Sequence, residues 1–388
     1  MSSRPFSDFW RRSPRFKTEP DRRAEGATSA SPGMPGTELH LSLSGRCVLR
    51  ARGPDIPRRN VAAKKVEKLK ESQLIWMDGK LVPWADAKVH VLTHSLHYGV
   101  AVFEGIRCYP QPGRGGAIFR LREHVRRLFE SAHICLMEMP FTKEQVFEAC
   151  KQVMVVNKMN EGYLRPIAYY ADGLMGVGAV NPVRLCIATW YWGAYLGDEG
   201  LKKGIRVKIS SYTRMHMNSD PTRAKVTGHY LNGVLAKREA LMAGYDEAIL
   251  LDQQGYVGEA TGENVFVVRD GALYTPPVAG GILEGITRES IMRIARDKGI
   301  TVDERRFSRD YLYCADEAFM CGTAAEITPV REVDDRKIGK GEMGPVTREI
   351  QATFFRAVRG LEPRYTDWLT PLDAPAQAEA NGTRALAR

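Results

Sequence analysis

The sequence lacks the long apolar segments that a membrane-spanning protein needs. A helix that crosses a bilayer requires about 18 or more apolar residues in succession, and the apolar runs here are short, such as residues 153–156. Of the 388 residues, 44% are hydrophobic and 26% are charged. This composition excludes a chain that is disordered throughout, and it predicts a soluble protein with enough apolar side chains for two domain cores.

Closely spaced cysteines are also missing. The seven cysteines are an odd number and never occur as C-x-x-C, so neither a disulfide framework nor a zinc ribbon is indicated. His94 and His97 stand three residues apart without a third ligand nearby, and we therefore predict no metal site. Scattered thiols fit a reducing compartment, and we expect the protein in the cytoplasm.

Glycine-rich nucleotide motifs are absent as well. No Walker sequence occurs, and Gly176-Val177-Gly178 lacks the further glycine and the following helix of a dinucleotide-binding fingerprint. These absences argue against a nucleotide-dependent enzyme.

Basic residues are concentrated at the start of the chain. The first 60 residues hold eleven Arg and one Lys against six acidic residues, which gives +6 of the total net charge of +10. This leader is rich in Pro, Gly and Ser and has little hydrophobic periodicity, so we predict that residues 1–70 are disordered. An alternative function follows from the same feature. A nucleic-acid-binding protein that uses the leader would bind polyanions with steep salt dependence.

The leader itself has three interpretations. An Arg- and Ser-rich start resembles an organelle transit peptide, but Asp8, Glu19, Asp21 and Glu25 are contrary to the acid-poor rule for such peptides. The leader is otherwise a solvated tail, or an over-long translation of a protein that begins near Val61. We favour the last as a hypothesis, because ordered patterning starts only around Leu74.

Hydrophobic periodicity and turn residues predict an α/β (α+β) fold with two domains. We expect a small α/β domain over residues 71–190, an interdomain loop over 191–204, a large domain over 205–362 and a loose tail over 363–388. In the small domain, Asp78-Gly79 predicts a hairpin between two short strands, and Thr142 and Gln145 form a capping box before a helix. Further expected elements are helices near residues 121–132, 146–154, 230–243, 287–298 and 346–358, and strands near 164–170, 185–190, 206–210, 247–251, 265–268 and 273–275.

Lys225 and two glutamates are the first candidates for chemistry. A lysine acts as a nucleophile only when burial or a neighbouring cation keeps its amine neutral, and Lys225 stands among small residues just before a predicted helix. Glu259 and Glu263 lie in a glycine-bearing segment that leads into an apolar strand. A partly buried carboxylate there suits a charge-assisted hydrogen bond to a protonated ring nitrogen.

Two segments suit anions, and a third group suits an amphipathic substrate. Residues 283–288 open a helix with glycine and threonine, and residues 322–325 form a turn of small residues. Free N–H groups in both would attract phosphate or carboxylate. Arg107 and Arg165 stand near aromatic residues, so an apolar side chain and a carboxylate could share one pocket. The aromatic set is Tyr98, Phe103, Tyr163, Trp192 and Tyr195.

Four segments closely resemble motifs of branched-chain amino acid aminotransferases and occur in the same order as in that family. These enzymes are fold type IV pyridoxal-phosphate enzymes. The four segments are residues 97–107, 224–225, 259–264 and 322–329, and the resemblance extends from about residue 75 to 360. It implies a smaller N-terminal α/β domain, a larger C-terminal pseudo-barrel domain that binds the cofactor, and a homodimer or higher homo-oligomer.

The resemblance also implies roles for single residues. Lys225 is then the catalytic residue that binds pyridoxal 5′-phosphate covalently and moves a proton, Glu259 is the partner of the pyridine nitrogen, and Tyr230 bonds to the phenolic oxygen. The remaining cofactor-binding residues are Arg127, Leu283, Gly285, Ile286, Thr287 and Thr323. Backbone amides of Thr323 and Ala324 would bind the substrate α-carboxylate, and Tyr98 and Arg165 the distal carboxylate of glutamate. The other substrate-binding residues are Phe103, Arg107, Tyr163, Trp192 and Tyr195.

The implied activity is reversible transfer of the amino group of leucine, isoleucine or valine to 2-oxoglutarate, giving L-glutamate by ping-pong chemistry. D-amino acid aminotransferase and aminodeoxychorismate lyase on the same fold are the enzymatic alternatives. The expected partners are small molecules and further copies of the chain, with no nucleic acid and no membrane.

Overall fold

Two nine-stranded sheets organise the part of the chain that the computed structural model describes, which is residues 69–193 and 195–372. The predicted disordered leader falls outside these residues except for Leu69 and Lys70, and Lys70 already belongs to a strand. The hypothesis of a start near Val61 likewise concerns residues outside the described part.

The first sheet is antiparallel throughout. Its strands are β1 (Lys70–Glu71), β2 (Leu74–Met77), β3 (Lys80–Pro83), β4 (Ala101–Phe103), β5 (Ile106–Gln111), β6 (Gly115–Phe119), β7 (Gly162–Tyr170), β8 (Val183–Tyr191) and β18 (Leu369–Pro371). The order is β18-β6-β5-β7-β8-β2-β3, with β1 paired to β8 and β4 paired to β7.

The second sheet is mixed. Its strands are β9 (Ile205–Thr213), β10 (Glu247–Leu251), β11 (Val257–Ala260), β12 (Asn264–Arg269), β13 (Ala272–Thr275), β14 (Val302–Glu304), β15 (Glu317–Gly322), β16 (Glu326–Val333) and β17 (Arg336–Lys337). The order is β11-β10-β9-β16-β15-β12-β13-β14, and β17 pairs with β16. β9 runs parallel to both of its neighbours.

Helices cover both sheets. They are α1 (His94–Tyr98), α2 (Leu121–Ile134), α3 (Lys143–Val156), α4 (Asp198–Lys203), α5 (Tyr230–Met242), α6 (Ile286–Asp297), α7 (Arg309–Tyr313) and α8 (Pro345–Val358). Short 3-10 helices occur at Trp84–Asp86, Thr227–His229, Val278–Gly280 and Pro363–Trp368. No helix in residues 69–193 or 195–372 combines the length and apolar composition needed to cross a membrane.

Local sequence signals explain several of these elements. Asp78 and Gly79 have φ values of 48° and 85°, as a tight two-residue hairpin turn requires, and β2 and β3 pair on either side of them. Thr142 accepts a hydrogen bond from the backbone of Gln145, whose side chain accepts one from the backbone of Thr142. Both sequence predictions are confirmed.

Two hydrophobic layers flank the second sheet, and another lies under α2 and α3. Side chains alternate along β12, as the two-residue period of a strand dictates. Phe266 and Val268 pack with α6 and α8, whereas Val265 and Val267 belong to the layer on the other face. The core of the first sheet includes Leu121, Val125, Leu128, Val146 and Val153.

Two boundary predictions need correction. The expected loose tail contains a 3-10 helix at Pro363–Trp368 and strand β18, which pairs with β6. The rings of Tyr365 and Trp368 stack at 4.3 Å and are buried, so this segment is part of the core, while residues 373–388 fall outside the described part. The expected loop over 191–204 contains α4, whose acidic first turn and basic last turn complement the helix dipole.

Candidate active site

A cavity of about 430 Å³ is lined by residues from both sheets. It collects side chains from β4, β7, β11, β12 and β15, together with α2 and the N-terminus of α6. The structure therefore brings together most of the residues predicted from sequence. Those in the cavity wall are Phe103, Arg127, Tyr163, Arg165, Trp192, Tyr195, Lys225, Tyr230, Glu259, Leu283, Gly285, Ile286, Thr287, Thr323 and Ala324.

Lys225 lies on an extended segment between the two sheets. Its neighbour Val226 forms an isolated bridge with Val102 next to β4, and its backbone N–H donates to the Ser131 hydroxyl. The side-chain amine lies 2.6 Å from the hydroxyl of Tyr230 at the start of α5. Because both ends of this lysine are fixed, its amine has a defined place in the cavity.

Glu259, near the end of β11, is buried, and both of its carboxyl oxygens have hydrogen-bond or ion-pair partners. Arg214 Nη2 lies 2.5 Å from one carboxyl oxygen, and the other oxygen accepts from the Asn264 side chain at 3.0 Å and the Leu283 backbone at 3.1 Å. Burial raises the pKa of Glu259 above its ordinary value, and the charges of Arg214 and Lys225 oppose that rise. This carboxyl can hold a protonated ring nitrogen in the cavity.

The N-terminus of α6 and a nearby turn provide backbone donors. Gly285 caps α6 without any side-chain hydrogen bond, and Ile286 and Thr287 line the cavity directly after it. The turn that includes Thr323 and Ala324 joins β15 to β16 in the same wall. First-turn N–H groups and the positive helix end attract phosphate or carboxylate.

Arg165 lies among aromatic rings in the cavity wall. Its guanidinium carbon is 4.8 Å from the ring centre of Phe103 and 5.4 Å from that of Tyr163. Its Nε is buried without a hydrogen-bond acceptor. Trp192 packs edge-on between Tyr163 and Tyr195. A cation therefore lies against an apolar wall, as a substrate with an apolar or an acidic side chain would require.

Two predicted substrate residues lie outside the cavity wall. Tyr98 is 36% exposed at the end of α1, and its hydroxyl accepts a hydrogen bond from the backbone of Gly176. Arg107 donates to the carbonyl oxygens of Gly193 and Ala324, both at 3.2 Å. Arg107 thus supports the turn that contains Ala324. Contact of Tyr98 and of Arg107 with a substrate remains a prediction.

Sequence reasoning missed several wall residues. Asn264 stands inside the 259–264 segment, which could have flagged it, but Arg214 belongs to no motif and meets Glu259 only through the fold. Gly105 stands inside the 97–107 segment, but the reason for a glycine there is its contact with Tyr163, which the sequence does not reveal. A Cβ atom at Gly105 would collide with the hydroxyl of Tyr163, so the close approach of these two segments requires glycine.

Glu263 is a second buried acid in the wall. It accepts a hydrogen bond from Gly262, whereas the nearby lysine, Lys237, donates to Glu247 at 2.5 Å instead. Burial, followed by the negative charge of Glu247, raises the pKa of Glu263 to about 8. Glu263 therefore holds its proton to a higher pH than an ordinary glutamate does.

Clusters of metal ligands are absent from residues 69–193 and 195–372. In that part of the chain, no three His, Cys, Asp or Glu side chains are placed to hold an ion. The groups that the cavity offers for chemistry include a lysine, carboxyls, arginines, hydroxyls and backbone amides.

Comparison with known proteins agrees with this geometry. Residues 101–333 match the family described as Amino-transferase class IV. The branched-chain-amino-acid aminotransferase of Pseudomonas aeruginosa PAO1 is 49% identical over 298 residues, which are 76% of this chain and 96% of that protein.

Solved structures show the same fold. The Escherichia coli branched-chain amino acid aminotransferase is 46% identical with a TM-score of 0.76, over 78% of this chain and 100% of that one. The T.th. enzyme with pyridoxamine 5′-phosphate is 49% identical with a TM-score of 0.76 and the same coverage. It has also been solved with N-(5′-phosphopyridoxyl)-L-glutamate, at 48% identity and a TM-score of 0.75. The predicted two-sheet α/β architecture of fold type IV is confirmed. The chain belongs to the class IV aminotransferases, among the branched-chain-amino-acid aminotransferases.

Proposed function

We propose that this chain is a pyridoxal-phosphate-dependent transaminase that moves the amino group of L-leucine, L-isoleucine or L-valine reversibly to 2-oxoglutarate, in two half-reactions. The observation that carries the proposal is the convergence of four features in one cavity. They are the amine of Lys225, the hydroxyl of Tyr230, the buried carboxyl of Glu259 and the N-terminus of α6, whose N–H groups receive no hydrogen bond from a capping side chain.

The donor set fits pyridoxal phosphate. The cofactor has an aldehyde, a phenolic oxygen, a ring nitrogen and a phosphate, and when bound it supplies an electron-poor ring that stabilises negative charge at the substrate α-carbon. Lys225, Tyr230 and Glu259 would hold the first three groups, in that order. The phosphate would be held by Arg127 and the backbone around Ile286 and Thr287. Leu283, Gly285 and Thr323 complete this proposed set.

Lys225 is the proposed proton carrier. Its amine lies at hydrogen-bond distance from Tyr230 and 5.0 Å from the ring centre of Phe103, so one side of it is polar and another is apolar. A positioned amine in such surroundings can take a proton from a carbon atom and return it to another. Tyr230 holds the amine in place during both transfers.

Two kinds of side chain must enter the same pocket. The aromatic wall of Phe103, Tyr163, Trp192 and Tyr195 would cover a branched aliphatic side chain, whose burial is worth about 1.5–3 kcal/mol. Arg165 would pair with the distal carboxylate of glutamate or 2-oxoglutarate. The backbone amides of Thr323 and Ala324 would bind the α-carboxylate, and Arg107 would support them from behind through its bond to Ala324.

The positions of the proposed cofactor-binding residues along the chain support the proposed domains. We propose residues 71–190 as the small domain and 205–362 as the cofactor-binding domain, because Lys225, Glu259 and the α6 N-terminus all follow β8 in the chain. We also place the activity in the cytoplasm, in keeping with cysteines that are free in the described part.

A homodimer or higher homo-oligomer is proposed from an exposed apolar patch. The patch consists of residues 91–98 and 174–180, where Leu96 is 63% exposed, Leu174 71% and Val177 91%. Hydrogen bonds of Tyr98 and His94 with the backbone of Gly176 join its two segments. A monomer rarely leaves such a surface in water. The patch therefore suits contact with a second copy, and it includes Tyr98.

Light scattering tests the assembly. The double variant Leu96→Asp, Val177→Asp should shift the mass towards the monomer, because buried charges at an apolar contact are costly. Leu361→Asp is a matched control, since Leu361 is 50% exposed outside the patch. An unchanged mass in the double variant would contradict the proposed contact.

Absorbance and turnover test the activity. Purified protein with pyridoxal phosphate should absorb in the near-visible range and form glutamate from L-leucine and 2-oxoglutarate. Lys225→Ala should lose both properties, while Lys203→Ala, which changes an exposed lysine paired with Glu199, should keep both. D-leucine as the sole donor should give no product. A colourless wild type, or unchanged turnover in Lys225→Ala, would refute the proposed function.

A further inference from the structure

Glu104 is a fully buried carboxylate between β4 and β5, and it has no contact with solvent. Arg127 donates to both of its oxygens, from Nε at 2.7 Å and from Nη2 at 2.9 Å. His124, one helical turn earlier on α2, lies 2.7 Å from the same carboxylate through Nδ1. A carboxylate in this position is held by three short hydrogen bonds and holds its partners equally firmly.

The charges of this cluster can be assigned. Burial, the largest single influence, would raise the pKa of Glu104, but the charge of Arg127, together with the interaction with His124 and the hydrogen bonds of both residues, outweighs burial and holds that pKa far below its ordinary value. Burial lowers the pKa of His124, so its ring is neutral at pH 7 and donates through Nδ1. The cluster is therefore a carboxylate, a guanidinium and a neutral imidazole.

The donors of Arg127 can be counted. A guanidinium has five N–H groups. Nε and one N–H of Nη2 go to Glu104, and one N–H of Nη1 goes to the carbonyl oxygen of Glu284 at 2.7 Å. Two N–H groups remain, one on each terminal nitrogen. Arg127 lines the cavity, so these two groups are available to a ligand there.

The hydrogen bond to the carbonyl oxygen of Glu284 places the guanidinium of Arg127 beside the N-terminus of α6. Glu284 directly precedes Gly285, the residue that caps α6 without a side-chain hydrogen bond. Two sources of positive potential, the guanidinium and the helix N-terminus, therefore meet in one corner of the cavity. Arg127 belongs to α2, whereas α6 follows β13 in the chain. Glu104 holds the arginine side chain in the position where it reaches the N-terminus of α6.

We propose that Glu104 is a positioning residue for the phosphate group of the cofactor, because it fixes Arg127 so that the two free N–H groups face the N-terminus of α6. This inference rests on the proposed function. A long arginine side chain loses considerable rotamer freedom when a ligand fixes it. Because Glu104 already fixes the Arg127 side chain in the folded protein, this loss of rotamer freedom does not oppose phosphate binding.

If Glu104 has only a structural role, its loss should affect ligand binding differently. If the cluster only joined the two sheets, loss of Glu104 would weaken every ligand of the cavity alike. The positioning role concerns the phosphate alone. Pyridoxal, which lacks the phosphate but keeps the ring and aldehyde, separates the two cases.

The experiment compares pyridoxal phosphate with pyridoxal. Cofactor is removed from purified protein, and the dissociation constant of each compound is measured by absorbance titration. Glu104→Gln keeps the shape of the side chain but loses its charge and one acceptor. It should weaken pyridoxal phosphate about ten-fold or more and change pyridoxal by less than about two-fold. Glu130→Gln is the matched control on the exposed side of α2, where Glu130 pairs with Arg126, and it should change neither constant.

Two further variants test the route through Arg127. Arg127→Gln should weaken pyridoxal phosphate, and adding Glu104→Gln to it should have little further effect, because the residue being positioned is gone. His124→Gln replaces the rigid ring donor to Glu104 with a flexible amide and should give a smaller loss that is again confined to the phosphorylated compound. This variant also provides the test if Glu104→Gln does not fold.

The outcomes are separable. Equal losses for both compounds, or unchanged or tighter binding of pyridoxal phosphate in Glu104→Gln and His124→Gln, would overturn the positioning role and leave the proposed function intact. A wild type that binds neither compound would instead remove the proposed function, and this inference with it.

Discussion

The guanidinium of Arg214 lies 2.5 Å from one carboxyl oxygen of Glu259, and both side chains are about nine-tenths buried, at 12% and 7% exposure. The remaining oxygen accepts from Asn264 and the Leu283 backbone. Burial disfavours the charged form of Glu259, and the arginine favours it. Arg214 therefore decides how readily this carboxyl keeps its negative charge beside a ring nitrogen.

Replacement of Arg214 tests that relationship. In Arg214→Met the positive charge is lost while the bulk is kept, so the pKa of Glu259 should rise further above its ordinary value. A larger fraction of the carboxyl would then be protonated, and kcat/KM at pH 7 should fall about ten-fold or more. Arg214→Lys should recover part of the loss. The measurement is kcat/KM against pH, and a profile in Arg214→Met that superimposes on the wild type would contradict the assignment.

The contact between Gly105 and Tyr163 gives a prediction about shape. Tyr163 is 4% exposed and packs against Trp192 at a ring distance of 4.7 Å, so it cannot move away from a new methyl group. Gly105→Ala should cost about 1–3 kcal/mol of unfolding free energy through overpacking and raise KM for branched substrates. Urea unfolding and initial rates measure the two effects.

Gly280→Ala is the matched control for this substitution. The nearest atoms to a Cβ built at Gly280 are those of the Pro277 ring at 4.0 Å, so its stability should stay within about 0.5 kcal/mol of the wild type. Equal stabilities for the two variants would show that Tyr163 tolerates the displacement.

Local signals in the sequence predicted the elements that local physics determines. The Asp78-Gly79 turn needs two positive φ values, and the capping box needs only residues three apart, so the sequence alone is enough to predict both. Arg214 and Gly105 are different. Arg214 finds Glu259 across 45 residues of sequence, and Gly105 matters only because β7 brings Tyr163 against it.

The end of the chain shows the same limit. The Pro-rich segment after Gly360 has the composition of a tail, but β18 gains its stability from pairing with β6. A strand of three residues has no periodicity to read, and its partner lies some 250 residues earlier. Composition predicted a loose tail, and this prediction was wrong for residues 363–371, which are ordered by packing and by pairing with β6.

Arg165 carries the proposed selectivity for the dicarboxylic substrate. Arg165→Met keeps the apolar contact with Phe103 and Tyr163 but removes the charge. The kcat/KM for 2-oxoglutarate should then fall about ten-fold or more, as expected for loss of a hydrogen bond to a charged group. The value for 4-methyl-2-oxopentanoate should change much less. Steady-state kinetics with both 2-oxo acids decide the matter, and equal losses would remove Arg165 from this role.

Glu263 makes stability depend on pH. Burial, the largest influence, favours its neutral form, as do the charges of Glu247 and Glu259, whereas Lys237 on α5 favours the charged form. The pKa of Glu263 is about 8 in the folded protein against an ordinary value of 4.5. Well below pH 4.5 both the folded and the unfolded chain hold the proton, so the group then adds nothing to the pH dependence of stability.

Between pH 4.5 and about 8, the unfolded chain releases this proton while the folded chain retains it. The unfolding free energy contributed by Glu263 must therefore fall as pH rises through that window, by up to about 1.4 kcal/mol per pH unit. Glu263→Gln cannot titrate, so its stability should decline less between about pH 5.5 and 7.5 than that of the wild type, as measured by urea unfolding. Glu148→Gln, at a 67% exposed side chain, should follow the wild type. If Glu263→Gln also follows it, Glu263 is ionised in the folded protein and the negative charge must be compensated within the cavity wall.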